Sequence, residues 1–275
     1  MLLGVHCSIS GGVHNACEEA ASLGIDAFQI FTKNQRQWKE KQFTKEEQDK
    51  FKTGFNKANI KIAFSHASYL VNLANPDKVK KVNAIRAMVG EVQRCHDLGL
   101  KFTILHPGFP KELSEHEGIK NIAEALKEII DETNYSNVMI LLENMAGQGS
   151  SIGRTFEHLR EIMDMVSSER IGACFDTCHA FAAGYDIRTK GGFEDTMEKW
   201  DKIIGLQNLK VIHLNDSKAD LGSRVDRHEH IGKGKIGIEP FKQIMKQFPD
   251  IPKVLETPKE KNMDEVNLKV LREFI

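Results

Sequence analysis

The sequence predicts a TIM (β/α)8 barrel, a single domain over residues 1–275 with its active site at the C-terminal ends of the strands. Short β-rich runs alternate with longer helical patterns along the whole chain, which is typical of βα units on a parallel sheet. Eight such units in 275 residues average about 34 residues each, which suits a barrel of roughly 250 residues. An open doubly wound sheet has the same alternation, so the count favours the barrel without excluding that alternative.

The predicted strands are short runs rich in apolar and β-branched residues. They cover residues 3–8, 27–32, 61–66, 101–106, 138–143, 171–176, 209–214 and 253–256. The helical patterns between them include residues 78–98, 117–132, 156–166 and 238–247. Within 120–130, the apolar residues recur at the spacing of one helix face; they are Ile122, Ala123, Leu126, Ile129 and Ile130.

Residues typical of helix ends support this assignment. Asn75 followed by Pro76 is typical of an N-cap with proline at the first helical position. Gly24 and Gly99 stand where two helices are expected to end, and glycine is the residue most common just past a helix.

Composition excludes several classes of protein. No apolar stretch approaches the roughly 18 residues of a membrane helix, and the N-terminal residues lack the pattern of a secretory signal. Five cysteines without a CxxC pair imply no disulfide framework. We therefore expect a soluble, cytoplasmic protein, associated with the nucleoid if the source is bacterial. With Lys+Arg 38 and Asp+Glu 39, the formal charge of −1 argues against a grossly basic nucleic-acid binder, so attraction to a phosphate substrate must be local.

Six predicted strands end in a histidine or a carboxylate. These residues are His66, His106, Glu143, Asp176, His213 and Glu256. Because the C-terminal strand ends of a barrel open onto one face, we expect all six to line one bowl. His179, Asp226 and His228 follow closely in the adjoining loops. Imidazole and carboxylate are ligands for zinc and other first-row metals, and nine such groups suit two or three ions.

Two other patterns are weaker. Gly232, Gly234 and Gly237 match the dinucleotide fingerprint in letters, but they follow a charged loop instead of a strand, so we reject a nicotinamide or flavin site. Cys174 and Cys178 flank Asp176, and we interpret both as small buried residues and not as metal ligands.

Long motifs spread over six barrel loops make the chain resemble the endonuclease IV family of apurinic/apyrimidinic (AP) endonucleases from end to end. The motifs are FTKNQRQW at 31–38, SHASYLVNL at 65–73, HPG at 106–108, LENMAGQGS at 142–150, FDTCHAFAAGYD at 175–186, HLNDSK at 213–218, SRVDRHEHIGKGKIG at 223–237 and LETP at 255–258.

The resemblance implies a barrel with three zinc ions, although Mn²⁺ or Fe²⁺ can occupy such ligands at some sites. His66, His106 and Glu143 would hold the first ion. Glu143 would bridge to the second, which Asp176, His213 and Glu256 complete. The third would be held by His179, Asp226 and His228. All nine positions carry the residue types that the family requires. Glu143 is the predicted catalytic residue, because it would also orient the nucleophile.

The activity implied by the resemblance is hydrolysis of the phosphodiester 5′ to an abasic site in double-stranded DNA, with removal of 3′ blocking groups. Arg36, Tyr69 and Leu70 lie in motifs that resemble those entering the base stack at the lesion. We also predict phosphate contacts from basic residues of these loops, namely Lys33, Lys218, Arg224 and Arg227. A monomer is expected, because the DNA-binding face must remain free.

Two alternatives remain open from the sequence. A metal-dependent sugar isomerase or epimerase uses the same barrel with carboxylate and imidazole ligands, usually fewer of them, and fold alone does not fix function. A non-catalytic binder of damaged DNA would keep the barrel but lose one or more ligands, and none is lost here.

Overall fold

The structure is a computed structural model that describes residues 1–38 and 41–274. The barrel strands are β1 (Leu3–His6), β2 (Ala27–Ile30), β3 (Ile62–His66), β4 (Phe102–Leu105), β5 (Met139–Glu143), β6 (Ile171–Asp176), β7 (Leu209–His213) and β10 (Lys253–Leu255). Neighbouring strands pair in parallel, and β10 returns to pair with β1, so the sheet is closed. This confirms the predicted barrel and excludes the open sheet.

Helices follow the strands and surround the barrel. They are α1 (Asn15–Leu23), α2 (Lys45–Lys57), α3 (Lys78–Leu98), α4 (Glu115–Glu132), α5 (Phe156–Val166), α6 (Thr177–Ala183), α7 (Lys190–Ile203), α8 (Glu239–Gln247) and α9 (Met263–Arg272). A short antiparallel ribbon, β8 (Asp216–Ser217) with β9 (His228–Glu229), folds the long loop after β7 back over the barrel.

Several predicted element ends need correction. Strand β4 ends at Leu105 and β10 at Leu255, so His106 and Glu256 each lie one residue past their strand. Gly24 and Gly99 do end α1 and α3 in the left-handed conformation, as predicted. The predicted cap at Asn75 is wrong.

Asp77 is the residue that caps α3, and its carboxylate accepts from Val79 N and Lys80 N. Asn75 instead accepts a hydrogen bond from Asp77 N over 3.1 Å, a local turn that precedes the helix. Pro76 therefore lies in that turn and not at the first helical position.

Apolar side chains pack in two layers. The larger core lies between the barrel and its helices. A smaller cluster fills the barrel interior with one residue from each of six strands: Phe64, Ile104, Leu141, Cys174, Val211 and Val254. Within residues 1–38 and 41–274, no helix is long and apolar enough to cross a bilayer.

Candidate metal centre

The barrel interior determines the direction of the six predicted strand-end ligands. Each of them stands two residues after a member of the interior cluster, as His106 follows Ile104 and Glu143 follows Leu141. Because side chains of a strand alternate with a period of two, the ligand candidates point to the same side as the interior residues. They therefore lie directly above the apolar plug, at the C-terminal mouth of the barrel.

The first group of donors joins three neighbouring strands. His66 Nε2 and His106 Nε2 lie 3.0 and 3.1 Å from the same oxygen of Glu143, Oε2. His66 and Glu143 are buried, whereas His106 is partly accessible at 18% of its side chain. This group therefore has one side open to a substrate.

The second group shares Glu143 with the first. His213 Nδ1 lies 2.9 Å from Glu143 Oε1 and 3.2 Å from Glu256 Oε2, and the carboxylate of Asp176 lies 3.7 Å from the same nitrogen. The two oxygens of Glu143 thus face different donor groups. This is the geometry required of a carboxylate that bridges two cations.

The third group lies outside the barrel strands, on helix α6 and on the long segment after β7. Asp176 caps α6 by accepting from His179 N over 2.7 Å, which places the His179 side chain on the first helical turn, facing the bowl. His179 Nε2 lies 3.2 Å from Asp226 Oδ2, and His228 Nε2 lies 3.3 Å from Asp226 Oδ1. Pairing of β9 with β8 holds His228 in place. In each of the three groups, the donor atoms lie within 4.8 Å of one another.

The donors fit metal ions. His179 Nε2 and His228 Nε2 are buried, and neither satisfies the geometry of a hydrogen bond although carboxylate oxygens are close. Imidazole nitrogens and carboxylate oxygens that face one another without hydrogen bonds form a donor set of the kind that binds zinc. Cys178 is buried, as predicted, and its sulfur also lies within 4.8 Å of donor atoms of Asp176 and His228.

The two glutamates of the centre, Glu143 and Glu256, are anions at neutral pH. Burial raises the pKa of Glu143, but the neighbouring His213 and His106 outweigh it, so the pKa is held well below its usual range. Burial likewise raises the pKa of Glu256, but His213, His66 and His228 together outweigh burial and lower the pKa to about 2. Several negative charges are therefore confined in a small buried volume, an arrangement that favours cations.

Comparison with known proteins identifies the family of this chain. A family model described as a xylose isomerase-like TIM barrel matches residues 17–274. The probable endonuclease 4 of Chloroflexus aurantiacus is 43% identical, over 99% of this chain and 97% of that protein. The chain belongs to the endonuclease IV family.

Two further matches agree with this assignment. Apurinic-apyrimidinic endonuclease 1 of Plasmodium falciparum is 46% identical, over 93% of this chain and 44% of that protein. The crystal structure of endonuclease IV from Thermus thermophilus has a TM-score of 0.90 at 32% identity and covers 100% of this chain and 98% of that one.

Three amide side chains of this endonuclease IV family member support the donors, and sequence reasoning missed all three. Gln29 is fully buried on β2 and contacts both His213 and Glu256. Asn215 donates to Asp176 Oδ2 over 2.7 Å, and Asn144 accepts from Asp176 N over 2.7 Å. A signal was available for Gln29, because it is a polar residue within a predicted strand, and its register with Phe64 puts it on the interior face that the six ligand candidates share.

The predicted DNA-contacting residues surround this centre. Tyr69 is 63% exposed, and its ring centroid lies 5.9 Å from that of His66 and 5.7 Å from that of His106. Leu70 is half-buried, and Arg36 is exposed. Ser68 connects the two loops, since its hydroxyl donates to Gln35 O over 2.7 Å and accepts from Leu70 N over 3.3 Å. The loops that carry Arg36 and Tyr69 are thus held together.

The predicted phosphate contacts lie on the same face but differ in their surroundings. Lys33 is half-buried and donates to Gln37 O, and Lys218 lies 3.9 Å from Glu229. Arg227 is exposed and donates to Asp226 O over 2.6 Å. Arg224 is exposed and lines a separate cleft. The structure therefore brings the nine metal-ligand candidates together, whereas the four basic residues are spread around them.

Large apolar side chains on these loops form an exposed rim that sequence reasoning only partly found. Besides Tyr69, the exposed members on loops after barrel strands are Trp38, Phe109, Leu221 and Val225. Asn72 fixes Phe109, donating to its carbonyl over 3.0 Å and accepting from its N–H over 2.9 Å. Exposed apolar groups around a polar centre mark a binding surface.

Proposed function

We propose that this chain is an AP endonuclease. It hydrolyses the phosphodiester 5′ to an abasic site in double-stranded DNA, leaves a 3′-hydroxyl and a 5′-deoxyribose phosphate, and removes 3′ blocking groups. The observation that carries the proposal is the meeting of three His/carboxylate donor groups at the barrel mouth, in a chain of the endonuclease IV family.

The nine donor residues would hold three zinc ions in the groups described above. All nine positions carry an imidazole or a carboxylate, which are zinc ligands, and the same ligand types accept Mn²⁺ or Fe²⁺. When bound, divalent zinc lowers the pKa of water toward about 7 and neutralises charge on the phosphate.

Glu143 is the proposed catalytic residue. It is fully buried, ionised and shared between two donor groups, with one oxygen toward His66 and His106 and the other toward His213. A carboxylate fixed in this way can accept a hydrogen bond from the attacking water and aim its oxygen at the phosphorus.

DNA recognition would depend on the lesion and not on base sequence. An abasic nucleotide has lost its stacking and is easily flipped out of the helix. Tyr69 and Leu70 would fill the gap as an apolar wedge, and Arg36 would hold the bent backbone; the link between their loops supports this joint role. The exposure of Tyr69 beside two donor histidines supports this role, because a core tyrosine would be covered.

Phosphate contacts would supply the remaining affinity. Lys33, Lys218, Arg224 and Arg227 are the candidates, and all lie on loops around the centre. Binding should therefore weaken with salt and tolerate varied flanking sequences. The chain would act as a monomer, with this face free for DNA.

An incision assay tests the proposal. An end-labelled duplex with one synthetic abasic site is incubated with the protein as purified, after prolonged chelation and after zinc is returned, beside an intact duplex. We expect cleavage 5′ to the lesion that chelation abolishes and zinc restores. No incision by protein with a full measured metal content would overturn the proposal, and small sugars would then be tested as substrates of an isomerase.

A further inference from the structure

A basic cleft opens beside the candidate metal centre. It has a volume of about 390 Å³, and its lining includes Arg154, Thr155, Gly184, Tyr185, Lys199 and Arg224. We propose that this cleft binds a phosphate of the DNA backbone at a distance from the bond that is cut. The proposal rests on the proposed function and adds a second anchor for the same substrate.

The cleft lies on the DNA-binding face of the barrel. Arg154 and Thr155 belong to the loop after β5, and Arg224 belongs to the loop after β7. Tyr185 follows α6, the short helix that begins directly after β6. Loops at the C-terminal ends of the strands share one face, which is the face of the donor groups. Arg224 also stands two residues before Asp226, so one loop reaches both the cleft and the centre.

The charges of the cleft are not balanced. Among residues 1–38 and 41–274, neither Lys199 nor the Arg224 side chain has a carboxylate within 4 Å. Arg154 lies 2.8 Å from Glu115, so three cations share one acid. Like charges that surround a cleft repel one another, and a phosphate that enters it removes this repulsion.

Helix α5 adds to the positive potential. It begins at Phe156 behind its N-cap Thr155, which lines the cleft. The N-terminal end of a helix carries a partial positive charge and attracts anions. The acid of its first turn, Glu157, is exposed and is not among the lining residues.

The backbone holds the two arginines in place. Arg224 has a φ of 56°, a left-handed conformation that L-residues rarely adopt. A hydrogen bond from Arg224 N to Ala182 O over 2.9 Å fixes it. Opposite lies Gly147, where an added Cβ would lie 3.4 Å from Arg154 Cβ and from Arg224 Cγ. The loop after β5 therefore passes close enough to confine both arginine side chains.

The salt dependence of binding tests the proposal. Binding of the metal-loaded protein to an abasic-site duplex is measured over a range of salt concentrations for the wild type and for the double variant Arg154→Gln, Lys199→Gln. Each lost phosphate contact reduces the magnitude of the slope of log K against log salt by about 0.9, and the cleft is proposed to hold one phosphate, so we expect the double variant to lose about 0.9. The matched control, Lys120→Gln with Lys127→Gln, removes two exposed cations of α4 and should leave the slope unchanged.

A scan with methylphosphonates identifies the ligand. Neutral linkages are placed one at a time along each strand of the duplex. We expect at least one position away from the cut to weaken binding of the wild type and not of the double variant. Equal slopes and equal scans for both proteins would overturn the proposal. Incision by the wild type is scored separately, so a failure of the cleft is distinguishable from a failure of the endonuclease function.

Discussion

Gln29 donates a hydrogen bond from Nε2 to Glu256 Oε1 over 2.6 Å, although 227 positions separate the two residues. Its amide oxygen lies 2.9 Å from His213 Nε2. An amide oxygen can only accept, so Nε2 carries the proton of this contact. In the neutral imidazole, the lone pair of Nδ1 is then left facing Glu143 and Glu256. Gln29 thus orients two donors of the second group at once.

Replacing this amide should loosen the second donor group. Gln29→Met keeps the approximate volume of the side chain but removes both hydrogen bonds. Loss of an outer-shell partner costs about 10–100-fold in metal affinity or activity, and we expect an effect of that size. Zinc retained after dialysis, measured by mass spectrometry, checks this without a catalytic assay. Full zinc retention together with wild-type incision would contradict the role.

Glu143→Gln should separate binding from chemistry. The amide preserves shape but loses the negative charge that two donor groups share. Since outer-shell changes alone cost about 10–100-fold, we expect incision to fall by about 100-fold or more. Affinity for abasic DNA should stay close to that of the wild type, because the loops of Arg36 and Tyr69 are untouched. Single-turnover incision and equilibrium binding measure the two effects. Wild-type turnover at saturating zinc would contradict the assignment.

Metal removal should destabilise the fold. Without cations, the buried acids Glu143 and Asp176 and the partly buried Glu256 lie in a common site. A ligand present at about 1,000 times its Kd stabilises the native state by about 4 kcal/mol. We expect the Tm to fall after chelation and to recover with zinc but not with Mg²⁺, which prefers oxygen ligands to imidazole. Equal Tm values before and after complete stripping would argue against bound metal in these groups.

A buried ion pair stabilises the start of the loop that carries Arg36. Arg94 donates to Glu91 Oε2 over 2.8 Å and to Thr32 Oγ1 over 2.8 Å, and all three residues are buried. Glu91→Gln removes the charge of the buried carboxylate that faces Arg94, and breaking this buried ion pair should cost about 3–5 kcal/mol of unfolding free energy. The control Glu124→Gln breaks an exposed pair with Lys81 and should cost less than about 1 kcal/mol. Urea unfolding compares the two, and similar losses would refute the distinction.

Lys253 should make stability rise with pH. Its side chain is fully buried and donates to Phe248 O and Ile251 O, and burial lowers its pKa from 10.5 to about 8. Between those values the unfolded chain binds the proton that the folded chain has released, so stability increases with pH. We expect the wild type to gain about 2 kcal/mol from pH 7 to 9.5 relative to Lys253→Met. Parallel pH dependence of the two proteins in urea unfolding would show that Lys253 keeps its ordinary pKa.

The sequence predicted much of the fold, because the decisive signals are local. Periodicity marks strands and helices, and Gly24 and Gly99 end helices through their own backbone freedom. The cap of α3 was misplaced because Asn75 and Asp77 both suit such a position, and only the path of the chain selects Asp77. Strand ends shifted by one residue at His106 and Glu256 for the same reason, since pairing with neighbours decides where a ladder stops.

In the candidate site, too, local features were predicted from the sequence and long-range contacts were not. The sequence alone predicted the nine donor candidates, through residue type and strand position, and the family resemblance implied their three groups. Only the tertiary structure decided that Gln29 joins His213 to Glu256, that Ser68 connects the loops that carry Arg36 and Tyr69, and that Arg154, Lys199 and Arg224 share a cleft. These contacts are between residues distant in sequence, and no local periodicity carries information about them. They exist because closure of the barrel brings the ends of all its strands to one face.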